Sequence, residues 1–392
     1  MSEFFDTPLS DVIALQNDKK AQLKTFEYQS SGVLPIIDQS SKFICGYTDD
    51  FSKKYSKSLP VIVFGDHTLH TKYIDFDFAV GADGTQIIRT QDPQHEHKYL
   101  YYVISREIQI MGSEGYKRHL KILKERVVPF TNSIPEQKKI ASILTSVDEV
   151  IENTQKQIDK LQDLKKATMN ELLTKGIGHT EFKDSELGRI PKSWEVVELS
   201  SLVNSTRPIT YGIVQTGEHI PYGIPCVRVV DIVKGKPILE RMIRTTQQIN
   251  DSYSRTVLQE NDIMFALRGN IGFVRKVESF LRGANLTRGI ALISNSEEIT
   301  SDYLLYALQS QVVRRQIADG VNGSALQEIP LGNLRTVKVP VPCKTEQTGI
   351  SEVIASLEKL IETSLLKLTQ TQSLKKSLMQ DLLTGKVRVT VN

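Results

Sequence analysis

The chain contains few cysteines and no long apolar run. Its 392 residues include only Cys45, Cys226 and Cys343, which are odd in number and scattered. We therefore expect reduced core residues of a cytoplasmic protein, not a disulfide framework. No run of 18 apolar residues occurs, so the sequence predicts no membrane span. The N-terminal MSEFFDTPLS lacks the basic and apolar regions of a signal peptide.

The usual catalytic motifs are also missing. The sequence has no G-x-G-x-x-G or G-x-x-x-x-G-K-[ST] loop, no cysteine pair at zinc spacing, and no Ser/His/Asp arrangement with a nucleophile elbow. Two histidine pairs could ligate a metal, namely His67-x-x-His70 and His95-x-His97. Because no further ligands cluster near them, we predict no metal site. Catalysis by this chain would need an unrecognised site.

Charge is nearly balanced overall, but its composition differs between the two halves. The net charge is +3, and 40% apolar and 24% charged residues are ordinary for a globular protein. Residues 200–342 hold 12 Arg and 4 Lys, whereas residues 9–134 hold 4 Arg and 12 Lys. Arginine is the preferred bidentate partner of guanine and phosphate, which favours nucleic-acid contact by the later block. Ordinary surface charge is the alternative.

One long segment occurs twice. Residues 133–176 begin SIPEQKKIASIL and end NELLTKG, and residues 345–386 begin TEQTGISEVIASL and end QDLLTGK. Equivalent residues, such as Glu136 and Glu346, differ by 210 in number without a gap. A gapless repeat of this length indicates an internal duplication.

Both copies are predicted to be long helices. Apolar or small residues recur at alternating spacings of four and three, which is the pattern of a coiled-coil seam. Gly176 and Gly385 fall where a left-handed C-cap is expected, and about 40 residues at roughly 1.5 Å each give a rod of about 60 Å. Each copy could instead be a core helix of its own domain, but the shared seam favours pairing of the two. The predicted seam consists of Ile140, Leu144, Val147, Ile151, Thr154, Ile158 and Leu161, then Ile350, Ile354, Leu357, Ile361, Ser364, Leu368 and Thr371.

The residues before the first helix and those between the two helices form two blocks that echo each other. The offset between matching residues grows along the chain, from 190 at Leu9 and Leu199 to 204 at Tyr99 and Tyr303, as expected if insertions fell in loops. The only tryptophan, Trp194, is expected to pack at the start of the second block. One set of matches has an offset of 202, pairing Phe78, Gly81-Ala82 and Thr85 with Phe280, Gly283-Ala284 and Thr287.

These observations predict an α+β fold with an internal pseudo-two-fold repeat. Two similar domains of mixed helix and twisted sheet are separated by two long antiparallel helices that form a coiled coil. The predicted boundaries are 1–132 for the first domain, 133–176 for the first helix, 177–342 for the connector and second domain, and 343–392 for the second helix.

The PEQ-led helix, its LLTKG ending and the following ELGRIPKSWEVVEL resemble the DNA specificity (S) subunit of type I restriction-modification systems. The resemblance covers nearly the full length and is most specific over 135–176, 186–199 and 346–386. It implies two target recognition domains, each reading one half of a split sequence in double-stranded DNA, with paired helices that set the spacing. It also implies two modification (M) subunits as partners, which carry S-adenosylmethionine and the adenine methyltransferase chemistry, and optionally a restriction (R) subunit. No cofactor and no catalytic residue are then expected in this chain.

The candidate DNA-binding residues lie in loops after buried strands, where a scaffold can aim them. The glycines of Arg268-Gly269-Asn270-Ile271-Gly272 would let the backbone approach DNA closely while Arg and Asn reach base edges. For each residue, a turn or salt-bridge role is the alternative. The candidates are Asp66, His67, Thr68, Thr85, Lys117, Arg118 and His119 in the first block, and Arg228, Asp231, Arg268, Asn270, Thr287 and Arg288 in the second.

Two other hypotheses stay open. A stand-alone DNA-cleaving enzyme would cut duplex with Mg²⁺ and no partner. A coiled-coil adaptor without sequence reading would bind partners but retain no DNA at low salt.

Overall fold

The structure divides into two compact units. The first is built from two separate parts of the chain, and the second from one continuous part. The computed structural model describes residues 3–20, 22–112, 118–323 and 327–391. The first unit comprises Met1–Gln157 and Ser364–Asn392, and the second comprises Ile158–Thr363. Both long helices therefore contribute residues to both units.

Among the residues that the structure describes, the first unit contains three small sheets and three α-helices before the first long helix begins. Its strands and helices are β1 (Phe4–Pro8), α1 (Leu9–Val12), β2 (Ile13–Leu15), β3 (Leu34–Ile37), β4 (Gly46–Thr48), β5 (Val61–Gly65), β6 (Thr71–Ile74), β7 (Ala79–Val80), β8 (Thr85–Thr90), α2 (His97–Met111), α3 (Leu120–Glu125) and β9 (Val127–Thr131). The sheet orders are β2-β8-β5-β6, β4-β3-β7 and β1-β9. All pairs are antiparallel except β3 with β7.

The first long helix, α4 (Ile134–Lys175), leads into the second unit. The further elements are β10 (Phe182–Ser185), β11 (Gly188–Pro191), β12 (Glu195–Glu198), β13 (Thr210–Tyr211), β14 (Ile224–Val227), α5 (Val229–Val233), β15 (Ile243–Thr245), α6 (Gln247–Ser252), β16 (Ile263–Ala266), β17 (Val274–Lys276), β18 (Asn285–Leu286), β19 (Ile290–Ile293), α7 (Ser301–Gln309), α8 (Gln311–Asp319), α9 (Leu331–Arg335), β20 (Lys338–Val341) and the second long helix α10 (Lys344–Leu383).

The second unit repeats the three sheets of the first. Their orders are β13-β19-β16-β17, β15-β14-β18 and β12-β20, and β14 with β18 is again the parallel pair. The hairpin of β10 and β11 has no equivalent among the described residues of the first unit. The mixed helix-and-sheet fold and the internal repeat predicted from the sequence are therefore confirmed.

The central strand of each unit is buried on both faces. Every residue of β5 and β16 is buried, which explains why both strands read as continuous apolar runs. Side chains alternate between the two faces of a strand. Ile62 and Phe64 accordingly join a core with helix α2, whereas Val61 and Val63 join a separate core. In the second unit, Ile263 and Phe265 share a core with α7, while Met264 and Ala266 face another.

Each long helix begins with a Glu-Gln pair, and the buried glutamine of each pair makes corresponding hydrogen bonds in both units. The Gln137 amide donates from Nε2 to the Thr131 carbonyl at 2.7 Å and accepts at Oε1 from the Glu96 amide at 2.8 Å. Gln347 donates to the Pro342 carbonyl at 3.0 Å and accepts from the Thr300 amide at 2.8 Å. The repeated Glu-Gln sequence thus fixes the start of each long helix against the N-terminal end of α2 or α7.

The glutamates contact residues just beyond the end of the other long helix. In the second unit, Glu346 accepts from the Trp194 indole at 2.9 Å and lies 2.8 Å from the His179 ring nitrogen. In the first unit, Glu136 accepts from Arg388 at 2.8 and 3.0 Å. Trp194 is fully buried at the start of the second block, as predicted.

Segments of the two long helices lie side by side within each unit. In the first unit, Lys375 Nζ lies 2.6 Å from Asp148 Oδ1. In the second, Lys165 Nζ lies 2.6 Å from Glu358 Oε1. Both members of these ion pairs differ by 210 in number, so one contact is made twice. Residue numbers rise along one helix as they fall along the other, so the segments run antiparallel in each unit.

The predicted seam positions are all buried or half-buried. Gly176 and Gly385 have φ values of +67° and +71°, which confirms the predicted left-handed C-caps. None of the described helices is both long and apolar enough to cross a membrane. Buried seam residues are Ile140, Leu144, Thr154, Ile158, Ile350, Ile354, Ser364 and Leu368, and half-buried ones are Val147, Ile151, Leu161, Leu357, Ile361 and Thr371.

The offset of 202 predicted for residues 78–85 and 280–287 is wrong. In the parallel pairs, Ile36 faces Ala79 and Cys226 faces Asn285. Ile36 and Cys226 differ by 190, but Ala79 and Asn285 differ by 206. The predicted alignment fails because Gly81-Ala82 follows β7, whereas Gly283-Ala284 precedes β18, so the shared letters are coincidental. Thr85, which faces Gly65 across the sheet, is equivalent to Ile290 and not to Thr287.

The prediction that all three cysteines are core residues is also wrong. Cys226 is buried in β14, and burial raises the pKa of its thiol to about 11. Cys45 is half-buried because it lies in the loop before β4, where its thiol donates to Asp38 Oδ1 at 2.7 Å. Cys343 is exposed because it lies in the turn just before α10. All three are free thiols.

Candidate nucleic-acid interface

In the first unit, the loops after β3, β5 and β7 meet at one place. Gln39 connects them: its Nε2 donates to the Asp83 carbonyl at 2.7 Å, and its Oε1 accepts from the His67 amide at 3.3 Å. The Thr68 hydroxyl donates to the Gln39 carbonyl. The Asp66 amide donates to the Gly84 carbonyl at 2.8 Å. The predicted residues His67 and Thr68 are therefore held on a loop tied at several points.

Asp66 also holds the segment before α3. Its side-chain Oδ1 accepts from the Leu120 amide, and its carbonyl accepts from the His119 amide, both at 2.8 Å. Asp66 and His119 are buried, whereas Arg118 is exposed. The predicted residue Lys117 lies outside the described residues. Asp66 thus brings Arg118 and His119 to the loop that carries His67.

Thr85 lies below this surface. It is 6% exposed, and its hydroxyl has no hydrogen-bond partner among the described residues. It lines a small cavity of about 170 Å³ together with Asn17, Lys19 and Asp83. Among the predicted residues of the first unit that the structure describes, the accessible ones are His67, Thr68 and Arg118.

A buried lysine supports the same loops from beneath. Lys72 Nζ donates to the carbonyls of Asp38 and Lys42 and lies 3.9 Å from the Asp38 carboxylate. Burial lowers the pKa of Lys72. Burial acts to raise the pKa of Asp38, but hydrogen bonds from Cys45 and Ser40 outweigh it and lower the pKa. This cluster fixes the backbone immediately before Gln39.

In the second unit, Arg228 and Asp231 bind each other. Arg228 Nε and Nη2 donate to Asp231 Oδ2 and Oδ1, each at 2.9 Å, and the Arg228 amide also donates to Oδ2 at 2.9 Å. The hydrogen bonds that Arg228 donates to Asp231 raise the pKa of Arg228 above its ordinary value. Asp231 therefore caps α5 and fixes the guanidinium at the same time.

Thr287 and Arg288 follow β18 directly. The amide and hydroxyl of Thr287 donate to the Val227 carbonyl at 3.0 and 3.1 Å. The Arg288 amide donates to the Ile213 carbonyl at 2.9 Å, and its side chain is exposed. Thr287 thus anchors this turn beside Arg228, and Arg288 projects from a fixed backbone.

Arg268 and Asn270 follow β16. A Cβ at Gly289 would lie 3.0 Å from Val229 Cγ2 and 3.4 Å from Arg268 Cγ, so the arginine stem packs against the turn after β18. Arg268 Nη2 lies 2.9 Å from Glu328 Oε2, and Asn270 is exposed. Gly269 and Gly272 have φ values of +72° and +79°, a region that favours glycine. The loop borders a pocket of about 660 Å³ that Arg314 and Gln327 also line.

The structure brings only some of the predicted residues of each unit to equivalent places. His67 and Thr68 follow β5 as Arg268 and Asn270 follow β16. Thr85 instead begins β8, Arg118 and His119 precede α3, Arg228 and Asp231 lie at the start of α5, and Thr287 and Arg288 lie in the turn before β19. Sequence reasoning missed Gln39, Glu328 and Arg314. Gln39 could have been found, because the predicted offset of 190 places Asp38-Gln39 opposite Arg228-Val229. Nothing in the sequence pointed to Glu328, which meets Arg268 from 60 residues further along the chain.

No metal centre is evident in the parts of the chain that the structure describes. Within them, no group of three or more His, Cys, Asp or Glu side chains is placed to hold an ion.

The fold and the two loop clusters define the class: a duplicated α+β protein in which each copy combines three small sheets with segments of two long helices. The chain belongs to the family of type I restriction modification DNA specificity domains, whose family model matches residues 1–163 and 191–375. The resemblance predicted from the sequence is therefore confirmed.

Individual relatives agree with this assignment. The type I restriction enzyme MjaVIII specificity subunit of Methanocaldococcus jannaschii is 31% identical over 284 residues, covering 69% of this chain and 64% of that protein. The putative MjaX specificity subunit of the same organism is 31% identical over 277 residues, covering 69% and 60%. The chain thus spans somewhat over half the length of these curated relatives.

A solved structure shares the fold. The S subunit of a type I restriction-modification system from M. genitalium superposes with a TM-score of 0.63 at 18% identity, covering 99% of this chain and 97% of that one.

Proposed function

We propose that this chain is the DNA sequence-specificity subunit of a type I restriction-modification complex. Each unit reads one half of a bipartite sequence in double-stranded DNA. The observation that supports this most directly is that equivalent loops on one repeated scaffold carry unlike side chains. A duplicated scaffold with two identical loop sets would instead suit a symmetric target.

Side chains in each cluster divide into those that contact DNA and those that position them. In the first unit, His67, Thr68 and Arg118 contact DNA, and Lys117 remains a predicted contact. Buried Asp66 and His119 hold these loops in place, and buried Thr85 lies beneath them at the start of β8. In the second unit, Arg268, Asn270 and Arg288 reach base edges, since Arg and Asn are the side chains that read guanine and adenine in the major groove. Arg228, fixed by Asp231, contacts the backbone, and Thr287 anchors the turn.

The long helices form an antiparallel coiled coil that sets the distance between the two reading sites. The target recognition domains are then residues 1–132 and 177–342, and the spacer segments are residues 133–176 and 343–392. The structure limits the helical part of the second segment to Lys344–Leu383, because Gly385 and the residues after it leave the helix. Half-sites roughly one helical turn apart, about 34 Å, require a rigid spacer. The ion pairs Lys165–Glu358 and Lys375–Asp148 support pairing of the helices at both ends.

The helices also dock two modification subunits. Scattered exposed apolar residues are normal on a protein surface. Here, however, each unit exposes the same pair: Val150 and Leu374 in the first, and Leu360 and Leu164 in the second. The members differ by 210 in number, so two copies of one partner can bind alike. These partners supply S-adenosylmethionine and methyl transfer, a restriction subunit joins where cleavage occurs, and this chain is non-catalytic. The complex acts where the DNA lies, in the cytoplasm.

The test is the binding of duplexes selected from a random-sequence pool by the full chain. Arg288→Ala should relax the sequence preference at one half-site only and weaken binding about 10- to 100-fold, because a bidentate base contact contributes about 1–3 kcal/mol of discrimination. Thr68→Ala should act only on the other half-site. Equal damage at both half-sites by either variant would contradict the proposal.

Two further outcomes would assign a different function. Cleavage of duplex by the purified chain with Mg²⁺ and no partner would indicate a stand-alone nuclease. Partner binding without retention of any duplex at low salt would indicate an adaptor.

A further inference from the structure

Two arginines of the second unit meet carboxylates in different ways. Arg228 is held by three hydrogen bonds to Asp231, one of them from its own backbone amide. Arg268 has one close approach to Glu328, 2.9 Å from Nη2 to Oε2. That approach is not aligned as a hydrogen bond, because neither Nε nor Nη2 of Arg268 has a hydrogen-bond partner among the described residues. The first contact is built into a helix cap, and the second is not.

The Arg268–Glu328 contact is only partly open to solvent, because Nε and Nη2 of Arg268 are themselves covered. The two side chains are 40% and 39% exposed, whereas Asp231 is 11% exposed. Ion pairs at such exposure contribute little to stability, so the contact can be exchanged for another. Backbone pairing between the two residues keeps Glu328 beside Arg268, because Arg268 and Glu328 form an antiparallel bridge.

The surroundings leave Arg268 room to change partner. Its neighbours Gly269 and Gly272 line the pocket of about 660 Å³, and Arg314 adds a second positive charge there. Glu328 thus places an acidic group against Arg268, next to the loop whose pocket Arg314 lines. A carboxylate beside these arginines opposes phosphate binding, so its presence there calls for a role.

We propose that Glu328 determines specificity in the second unit by occupying the Arg268 guanidinium until a base edge in the correct half-site replaces it. This inference rests on the proposed function and deepens it. A DNA phosphate offers Arg268 the same kind of monodentate charge contact that Glu328 already provides, so random sequence does not displace the carboxylate. A guanine offers two aligned acceptors, O6 and N7, and does displace it.

The test compares Glu328→Gln with the wild-type chain on two duplexes. One carries the target selected from a random-sequence pool, and the other is a duplex of the same length without it. The variant should bind the non-target duplex about 5- to 10-fold more tightly and the target within about twofold of the wild type. Because Arg268 then gains a phosphate contact on random sequence, the slope of log K against log salt for the non-target duplex should steepen by about 0.9.

Glu181→Gln is the matched control. It removes the same charge from the same unit, where Glu181 Oε2 lies 3.0 Å from Lys192 Nζ at the surface. It should leave both affinities within about twofold of the wild type. A gain equal to that of Glu328→Gln would overturn the inference, because the effect would then be one of net charge.

A double variant tests whether the effect passes through Arg268. In an Arg268→Ala background, Glu328→Gln should no longer tighten non-target binding. Persistence of the gain would overturn the inference, since local repulsion of phosphate would then explain it. A wild-type chain that selects a target while Glu328→Gln behaves like the wild type would overturn the inference alone. A wild-type chain that retains no duplex would overturn the proposed function together with it.

Discussion

The two units make the same hydrogen bonds at the start of each long helix but carry different side chains in the loops after their central strands. Gln137 and Gln347 make equivalent hydrogen bonds, and so do Tyr102 and Tyr306, whose hydroxyls donate at 2.8 Å to Asp148 and Glu358. The loops after the central strands keep their place but exchange their side chains: the first unit presents histidine and threonine, the second arginine and asparagine. Buried polar contacts are costly to alter because an unpaired partner remains, whereas exposed loop side chains can change freely. Duplication followed by this unequal constraint yields one scaffold with two different surfaces.

Lengthening both long helices should have the largest effect. Insertion of one seven-residue repeat after Gln157 and another after Thr363 keeps the seam in register. It should move the preferred spacer by about three base pairs, because seven residues span about 10.5 Å and each base pair about 3.4 Å. Affinity for the original spacing should fall about 100-fold or more, read from selected duplexes. An unchanged spacer preference would contradict the spacer role, and insertion in one helix alone is the control for disrupted pairing.

Removing the helix-anchoring glutamines tests whether the shared contacts are equally important. Gln347→Ala and Gln137→Ala should each destabilise the unit that contains the residue by about 3 kcal/mol, because buried backbone groups lose their partners. Hydrogen exchange by mass spectrometry, resolved for each unit, measures this. Loss of protection after one substitution but not the other would break the equivalence of the two anchors.

The paired lysines should show a smaller and symmetric effect. Lys165→Ala and Lys375→Ala should each lower the free energy of unfolding by about 0.5 kcal/mol, because these ion pairs are partly exposed and screened by solvent. The loss should shrink further in high salt. Denaturant titrations of both variants measure it, and a difference of more than about 1 kcal/mol between them would show that one end of the pairing dominates.

Acid should weaken the first unit slightly more than the second. Burial, together with the positive charge of Arg89, lowers the pKa of His97 below its ordinary 6.5. The unfolded chain therefore binds more protons than the folded one below pH 6.5, so the contribution of neutral His97 is complete above 6.5 and is lost as the pH falls toward the lowered pKa. The equivalent position in the second unit is Ser301. His97→Gln should reduce the change in denaturant midpoint between pH 8 and pH 6. If the variant and the wild type show the same change, His97 is not the cause of the acid sensitivity.

The helices were predictable because their pattern is long and repeated. A seven-residue period over about 40 residues, present twice at one offset, leaves little room for another structure. The alignment of residues 280–287 with 78–85 failed because short loop matches carry no periodicity to correct them. The parallel strand pairs, which set the true register, are contacts between distant parts of the chain.

The location of the loop clusters was predictable, but the orientation of their side chains was not. Asp66 follows an apolar strand, as a loop residue would, yet its carboxylate turns inward to the Leu120 amide, 54 residues away. Arg228 and Asp231 were chosen as separate candidates and instead bind each other. Such pairings depend on where the backbone of another segment passes, which the sequence around each residue does not encode.

The contact between Phe4 and Arg388 implies that the order of the two halves along the chain can be changed. The Phe4 ring lies 5.2 Å from the Arg388 guanidinium carbon, and a Cβ at Gly385 would meet Phe4 at 2.6 Å, just as one at Gly176 would meet Trp194 at 2.8 Å. Residues near both ends of the described chain are thus neighbours. The contact between Gly176 and Trp194 is the equivalent one, but there the connector after α4 joins the two residues along the chain. A short tether from Arg388 to Phe4, with a break in the turn between β10 and β11, should therefore give a circularly permuted protein with the same packing.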